Sequence, residues 1–109
     1  MYVPDKGDIV YLNFDPSAGK EIMKRRPAFV ISRKIFNEHT GFAVVAPITN
    51  TIRNMQMEVV LPEQTSTNGS VLIHQMKSLD FIDREIELIE KAPAPTTGKV
   101  TSIARAIIQ

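Results

Sequence analysis

The hydrophobic and polar positions of this chain fall mostly into short runs of strand character, and helical periodicity is confined to its C-terminal end. Ile9 to Phe14 is rich in β-branched, aromatic and aliphatic residues and follows a turn-like Lys6-Gly7-Asp8, which predicts a first strand. Asp15-Pro16-Ser17-Ala18-Gly19 breaks it, because Pro and Gly punctuate the chain and Asp favours turns. The loop continues to Arg26, about a dozen residues without clear periodicity. Loops of that length in a small domain usually carry function or motion. Ala28 to Ser32 predicts a second strand; Pro27, lacking an N–H, can open it but cannot sit inside a ladder.

Arg33 to Thr40 is polar and mixed, with a turn predicted over Asn37-Glu38-His39-Thr40-Gly41. Phe42 to Ile48 is continuously apolar, the pattern of a central strand covered on both faces, and Pro47 lies near its end. A polar loop, Thr49 to Asn54, contains Arg53. Met55 to Leu61 then alternates as a half-exposed strand, and Pro62 to Gly69 is a loop rich in Thr, Ser, Asn and Gly. Val71 to Leu79 predicts one long strand. Strict alternation there sends His74 and Gln75 to opposite faces unless a bulge intervenes. Asp80 to Asp83 reads as a turn or short helical piece, and Glu85 to Lys91 as a last short strand.

Ala92-Pro93-Ala94-Pro95 is a stop, after which Thr96 or Thr97 could cap a helix. Val100, Ile103, Ala104, Ile107 and Ile108 fit the i, i+3, i+4, i+7, i+8 template, the only complete helical stripe in the chain. Burying it contributes roughly 1.5–3 kcal/mol for each large aliphatic side chain fully covered. The predicted class is α+β: a mainly antiparallel, strongly curved sheet with a C-terminal helix, one domain spanning residues 1–109.

Composition narrows the class of protein. With 109 residues and 43% hydrophobic content, the chain supports one ordinary globular core. The absence of cysteine excludes disulfides and thiolate metal sites. The longest apolar run, Phe42 to Ile48, is far short of the roughly 20 residues that span a bilayer. Met1-Tyr2-Val3-Pro4-Asp5 has neither the basic nor the apolar region of a signal peptide, so a cytoplasmic protein without a membrane partner is expected. Net charge is +1, which does not suggest a dedicated nucleic-acid binder. Its distribution says more: residues 20–34 carry six cations against Glu21, and residues 80–90 carry five acids against Arg84. Two solvated charge runs would give the same pattern, but it also allows steering of an anionic ligand.

Candidate chemistry is limited. His39 and His74 lie 35 residues apart without a partner at metal-ligand spacing, so no metal site and no cofactor is predicted. There is no P-loop, no dinucleotide-binding turn and no nucleophile elbow. Phosphate chemistry on RNA remains, because RNA supplies its own nucleophile, the 2′-hydroxyl. Such an enzyme needs a proton acceptor, a cation to stabilise the phosphorane and a donor for the leaving 5′-oxygen. Arg26, at the mouth of a strand, offers a planar fork of donors. Glu21 could act as a base, and His74 as base or acid. Each also has an ordinary structural reading: a solvated rim arginine, an exposed loop acid, a core histidine, and for Thr49 a turn cap.

Several stretches nonetheless match one family in order. Tyr2-Val3-Pro4-Asp5-Lys6-Gly7-Asp8, Asn13-Phe14-Asp15-Pro16, Gly19-Lys20-Glu21, Arg26-Pro27-Ala28 and Val30-Ile31-Ser32 are followed by Pro47-Ile48-Thr49, Glu58-Val59-Val60-Leu61 and Gln75-Met76-Lys77-Ser78-Leu79. Across nearly its whole length the chain resembles the MazF/PemK family of toxin endoribonucleases. The resemblance implies a CcdB/Kid-like fold, a small SH3-like half-open barrel with a C-terminal helix, acting as a homodimer. It implies metal-independent cleavage of single-stranded mRNA at a short sequence, leaving 2′,3′-cyclic phosphate and 5′-hydroxyl ends. It also implies a cognate antitoxin whose disordered C-terminal segment occludes the RNA site. By motif match Arg26 and Thr49 stand at the catalytic arginine and threonine, and Glu21 at the acidic residue of many members. His74 replaces an Asp or Glu found in several members. Lys24, Arg25, Arg53 and Lys77 become candidate RNA-backbone contacts, and Asn13, Phe14, Lys20 and Gln75 further RNA-binding positions. Two alternatives stay open: a non-enzymatic toxin of the same fold that binds DNA gyrase, and an inactive nucleic-acid-binding barrel. Against the latter, aromatic content is 6%, with the rings mostly inside predicted strands.

Overall fold

The computed structural model describes residues 1–16, 18–21, 23–51 and 55–109. Strands β1 (Asp8–Asn13), β2 (Arg25–Val30), β3 (Phe42–Thr49), β4 (Glu58–Val60), β5 (Ser70–Leu72), β6 (Lys77–Asp80) and β7 (Glu87–Lys91) are joined by helices α1 (Lys34–Thr40) and α2 (Ala94–Ile108). The strands form one seven-stranded sheet in the order β4-β5-β3-β2-β1-β7, with β6 also beside β3. Every pairing is antiparallel. The fold is the expected α+β, and the sheet stays open rather than closing into a barrel.

Period-two alternation divides the strand residues between two cores. Ile9, Phe29, Ala46, Ile48 and Val71 pack with Val100 and Ala104 of α2. Val10, Leu12, Phe14, Ala28, Val30, Val45, Leu79 and Phe81 pack on one another from the other face. A sheet can bury a face against itself only by curling, which supplies the predicted curvature. The helical stripe of α2 is covered in its first half: Val100 is buried, whereas Ile108 is 75% exposed. Pro93 stands at the N-cap of α2, with no side-chain cap, so neither Thr96 nor Thr97 has that role.

The curl brings the two sheet edges together without a ladder between them. From β7, Glu90 accepts hydrogen bonds from the Ser66 and Thr67 backbone N–H groups (3.0 and 2.9 Å) and from their hydroxyls (2.7 and 2.8 Å). These donors belong to the loop joining β4 to β5. Desolvation acts to raise the Glu90 carboxyl pKa, but the Ser66 and Thr67 donors outweigh it and pull it down to about 2. At the start of β1, buried Asp8 accepts the Tyr2 hydroxyl and pairs with Lys91 Nζ at 3.1 Å. Burial, then the hydrogen bond to Asp8, pushes the Tyr2 phenol well above its ordinary range.

Three elements differ from the sequence expectation. Residues 34–40 form α1 rather than a turn. The buried Asn37 amide donates to the carbonyls of Pro4 (2.8 Å) and Ser32 (3.1 Å), and Gly41 ends the helix at φ +77°. Tertiary anchors therefore hold a helix too short to form by itself. Of the strand expected over 55–61, Glu58–Val60 is paired as β4. The expected long strand over 71–79 is interrupted by a 3₁₀ turn, Ile73–Gln75. On β3 the ladder passes from Val45↔Lys77 to Ile48↔Val71, so Ala46 and Pro47 face five residues, 72–76. The surplus is extruded as the turn, beside a proline that cannot donate to a ladder.

Candidate active site

Two consecutive arginines open β2, and alternation sends them to opposite faces. The strand begins at Arg25, earlier than the Ala28 predicted. Pro27 is tolerated because the β2–β3 ladder starts only at Ala28, leaving it with β1 as its one paired neighbour. Arg25 pairs with Asn13, and its guanidinium lies 5.2 Å from the Tyr11 ring centroid. It also donates to the Glu85 carbonyl at 2.7 Å and ion-pairs with Glu87. The basic and acidic segments of the sequence thus meet here, and Arg25 is held by the protein itself.

Arg26 pairs with Leu12 and so shares the face of the strand-only core. Its Nε donates to the Met23 carbonyl at 3.0 Å, and neither terminal nitrogen has an acceptor among the described residues. Thr49 lies on that face too. Ala28 pairs with Pro47, so the same register carried two residues further sets Arg26 across from Thr49, at the end where the strands part. Thr49 is 7% exposed; its Oγ1 accepts the Thr51 N–H at 3.2 Å, and its own proton has no acceptor among the described residues. The Arg26 and Thr49 positions therefore fall on one face at one end of the sheet.

Four further candidates gather with one another. Lys77 pairs with Val45, which puts it on the Arg26 face, and its Nζ is 3.9 Å from Glu21 Oε1. Glu21 Oε1 also accepts the Ala18 N–H at 2.8 Å. The extruded turn carries His74 and Gln75 toward the loop, so that Lys20, Glu21, His74 and Gln75 line one groove of about 220 Å³. This answers the alternation question for His74 and Gln75: the 3₁₀ turn abolishes the strand geometry that would have separated them. His74 is exposed rather than a core residue. At the base of the loop, Lys24 adopts φ +68°, its N–H donates to Asp15 Oδ1 at 2.9 Å, and its carbonyl accepts the Phe14 N–H at 2.9 Å.

Some expected RNA contacts are corrected. Phe14 is fully buried in the strand-only core and presents no ring to a ligand. Asn13 sits on the Arg25 face, and its Oδ1 accepts the Asp15 N–H at 3.0 Å, a turn-holding role. Arg25 faces away from Arg26, as described. Arg53 lies outside the described residues. Exposed Phe36 and Phe42 belong to α1 and the start of β3, the end of β3 opposite Thr49. Sequence reasoning passed over Gly69 and Ser70, the residue before β5 and its first, which abut Thr49. A glycine directly before a strand was the available signal.

Comparison with known proteins gives concordant results. A family model described as PemK-like, MazF-like toxin of type II toxin–antitoxin system matches residues 5–108. The chain is 40% identical over 110 residues to the endoribonuclease toxin ChpB of Escherichia coli (strain K12), covering 96% of this chain and 94% of that protein. It is 40% identical over 78 residues to the endoribonuclease toxin MazF of the same organism, covering 72% and 69% respectively. Among solved structures, MazF from Deinococcus radiodurans superposes with a TM-score of 0.94 at 37% identity, covering 99% of this chain and 98% of that one. A MazE–MazF crystal structure from that organism superposes at 0.86 and 33% identity, covering 99% and 97%.

Proposed function

The chain belongs to the PemK-like, MazF-like toxin family of type II toxin–antitoxin systems, and from that premise we propose that it is an endoribonuclease cleaving single-stranded mRNA. The observation that carries this reading is the guanidinium fork of Arg26, whose terminal nitrogens have no acceptor among the described residues, on the same sheet face as Thr49. In-line attack by the 2′-hydroxyl places extra negative charge on the phosphate, and a preorganised fork stabilises that charge more than it stabilises the ground state. Thr49 donates to a phosphate oxygen. Glu21 and His74, on the shared groove, exchange the two protons: one leaves the 2′-hydroxyl, the other reaches the departing 5′-oxygen. Atoms balance as a transesterification, giving a 2′,3′-cyclic phosphate and a 5′-hydroxyl end. No step calls for a metal. Lys20, Lys24 and Lys77 contact the backbone, and Gln75 the substrate in the groove. Attack in line requires a backbone freed from A-form geometry, hence a single strand.

The same reading gives the protein a homodimeric state, a cytoplasmic site of action and a cognate antitoxin laid over the groove; a MazE–MazF structure among the similar proteins supports the last. Among the described residues no helix is long and apolar enough to cross a membrane. The gyrase-binding alternative gains no support, since the curated relatives are named endoribonucleases. Replacing Arg26 by Ala is the direct test: cleavage of a short RNA falls by about 10³-fold with folding intact. Full activity in that variant would remove Arg26 from the mechanism.

A further inference from the structure

We propose that Gly69 and Ser70 are positioning residues for Thr49, an inference that rests on the role just assigned to Thr49 and extends it to the strand behind it. Val60, Ser70 and Thr49 stand in register across β4, β5 and β3, so their side chains share one face. Two independent features mark this row.

The first is the approach of the backbone. Gly69 has φ +124°, and a Cβ there would lie 2.3 Å from the Thr49 carbonyl oxygen, 2.9 Å from its carbonyl carbon and 3.4 Å from the Asn50 nitrogen. All three are backbone atoms, with no flexible side chain to give way. The Gly69 carbonyl is itself fixed, accepting the Leu61 N–H at 2.9 Å. Glycine therefore sets how closely β5 comes to the last residue of β3, and with it the height of Thr49 at the strand end.

The second is an unpaired hydroxyl. Ser70 is completely buried, and its Oγ has no hydrogen-bond partner among the described residues. Such a group costs stability, and native proteins retain few of them. This one lies directly across from Thr49. Opposed residues of an antiparallel pair have Cβ atoms about 4.5–5.5 Å apart, within reach of a hydroxyl–hydroxyl bond after rotation of one side chain. Ser70 thus gives the Thr49 hydroxyl a polar neighbour: a proton donated from Ser70 Oγ to Thr49 Oγ1 leaves the Thr49 proton for a phosphate oxygen held at the Arg26 fork.

The test is single-turnover cleavage of a short single-stranded RNA by Ser70→Ala, Gly69→Ala, Thr49→Ala and the Ser70→Ala/Thr49→Ala double variant, with melting temperatures recorded. Ser70→Ala is expected to melt at or above the wild-type temperature and to lower the cleavage step roughly tenfold with substrate affinity unchanged. A purely structural serine would not separate the two readouts in that direction. In the Thr49→Ala background the Ser70 change should have no further effect. Gly69→Ala should lower the rate about a hundredfold; if it does not fold, the serine variants carry the test alone. Wild-type cleavage by Ser70→Ala, or a loss that persists undiminished without Thr49, overturns the proposal. Full activity of Thr49→Ala is a different failure: it refutes the role of Thr49 itself, and this inference with it.

Discussion

Removing the Glu90 carboxylate tests how an open sheet holds its edges together. In Glu90→Gln one oxygen is exchanged for an NH2 group, which faces donors instead of accepting from them. Four hydrogen bonds from Ser66 and Thr67 depend on that carboxylate. The fall in its pKa from an ordinary 4.5 to about 2 corresponds, at 1.36 kcal/mol per unit, to about 3.4 kcal/mol. The loop is partly solvated, and screening reduces this to about 1–2 kcal/mol. For a domain of this size that is a melting-temperature drop of roughly 4–10 °C at pH 7. The sign with pH follows from the depressed value: the contribution is fully present above about 4.5 and is lost as pH falls toward 2. Melting curves of wild type and Glu90→Gln should therefore differ at pH 7 and converge near pH 2. Equal melting temperatures at pH 7, or a gap that survives at pH 2, would refute the reasoning.

Arg25→Ala should lower stability by about 0.5–1 kcal/mol through loss of the exposed Glu87 pair and the Tyr11 contact. Its RNA cleavage should stay close to wild type, in contrast to Arg26→Ala; urea titration and the cleavage assay together check this, and a loss as deep as that of Arg26→Ala would contradict the two-face assignment. Asn37→Ala should cost about 2–3 kcal/mol, because it strands the Pro4 and Ser32 carbonyls beneath α1. Denaturant unfolding measures that cost, and an effect near zero would mean α1 is held by something other than Asn37.

What the sequence disclosed depended on whether a residue's role was local. Strand-forming composition between turn signals located β1 and β7, a continuous apolar run located β3, and the helical stripe located α2, because these elements are written in consecutive residues. Arg26 and Thr49 became candidates through the ordered family match; that both positions fall on one face follows from the register of Ala28 and Pro47. α1 was missed because Asn37 draws its support from Pro4, 33 residues away. The 3₁₀ turn was missed because it arises from a mismatch in length between two strands, which no property of His74 or Gln75 encodes. Phe14 was misassigned for a similar reason: a strand-end aromatic looks alike whether the curl covers it or leaves it to a ligand. Gly69 matters through a carbonyl 20 residues earlier, and a loop of Thr, Ser, Asn and Gly conceals such a contact.

The neighbouring arginines on opposite faces of β2 also bear on how this chain can vary. The register that fixes Arg26 is set by its pairing with Leu12 and by the ladder beyond Pro27, downstream of the loop that delivers it. Substitutions in that loop can reshape the groove wall while the strand holds the backbone of Arg26, and only Met23, whose carbonyl accepts from Arg26 Nε, ties the loop to the guanidinium. A single deletion inside β2 would do the reverse, moving the brace into the groove and the fork onto the far face. The strand thus fixes where Arg26 stands, and the loop before it sets what surrounds the guanidinium.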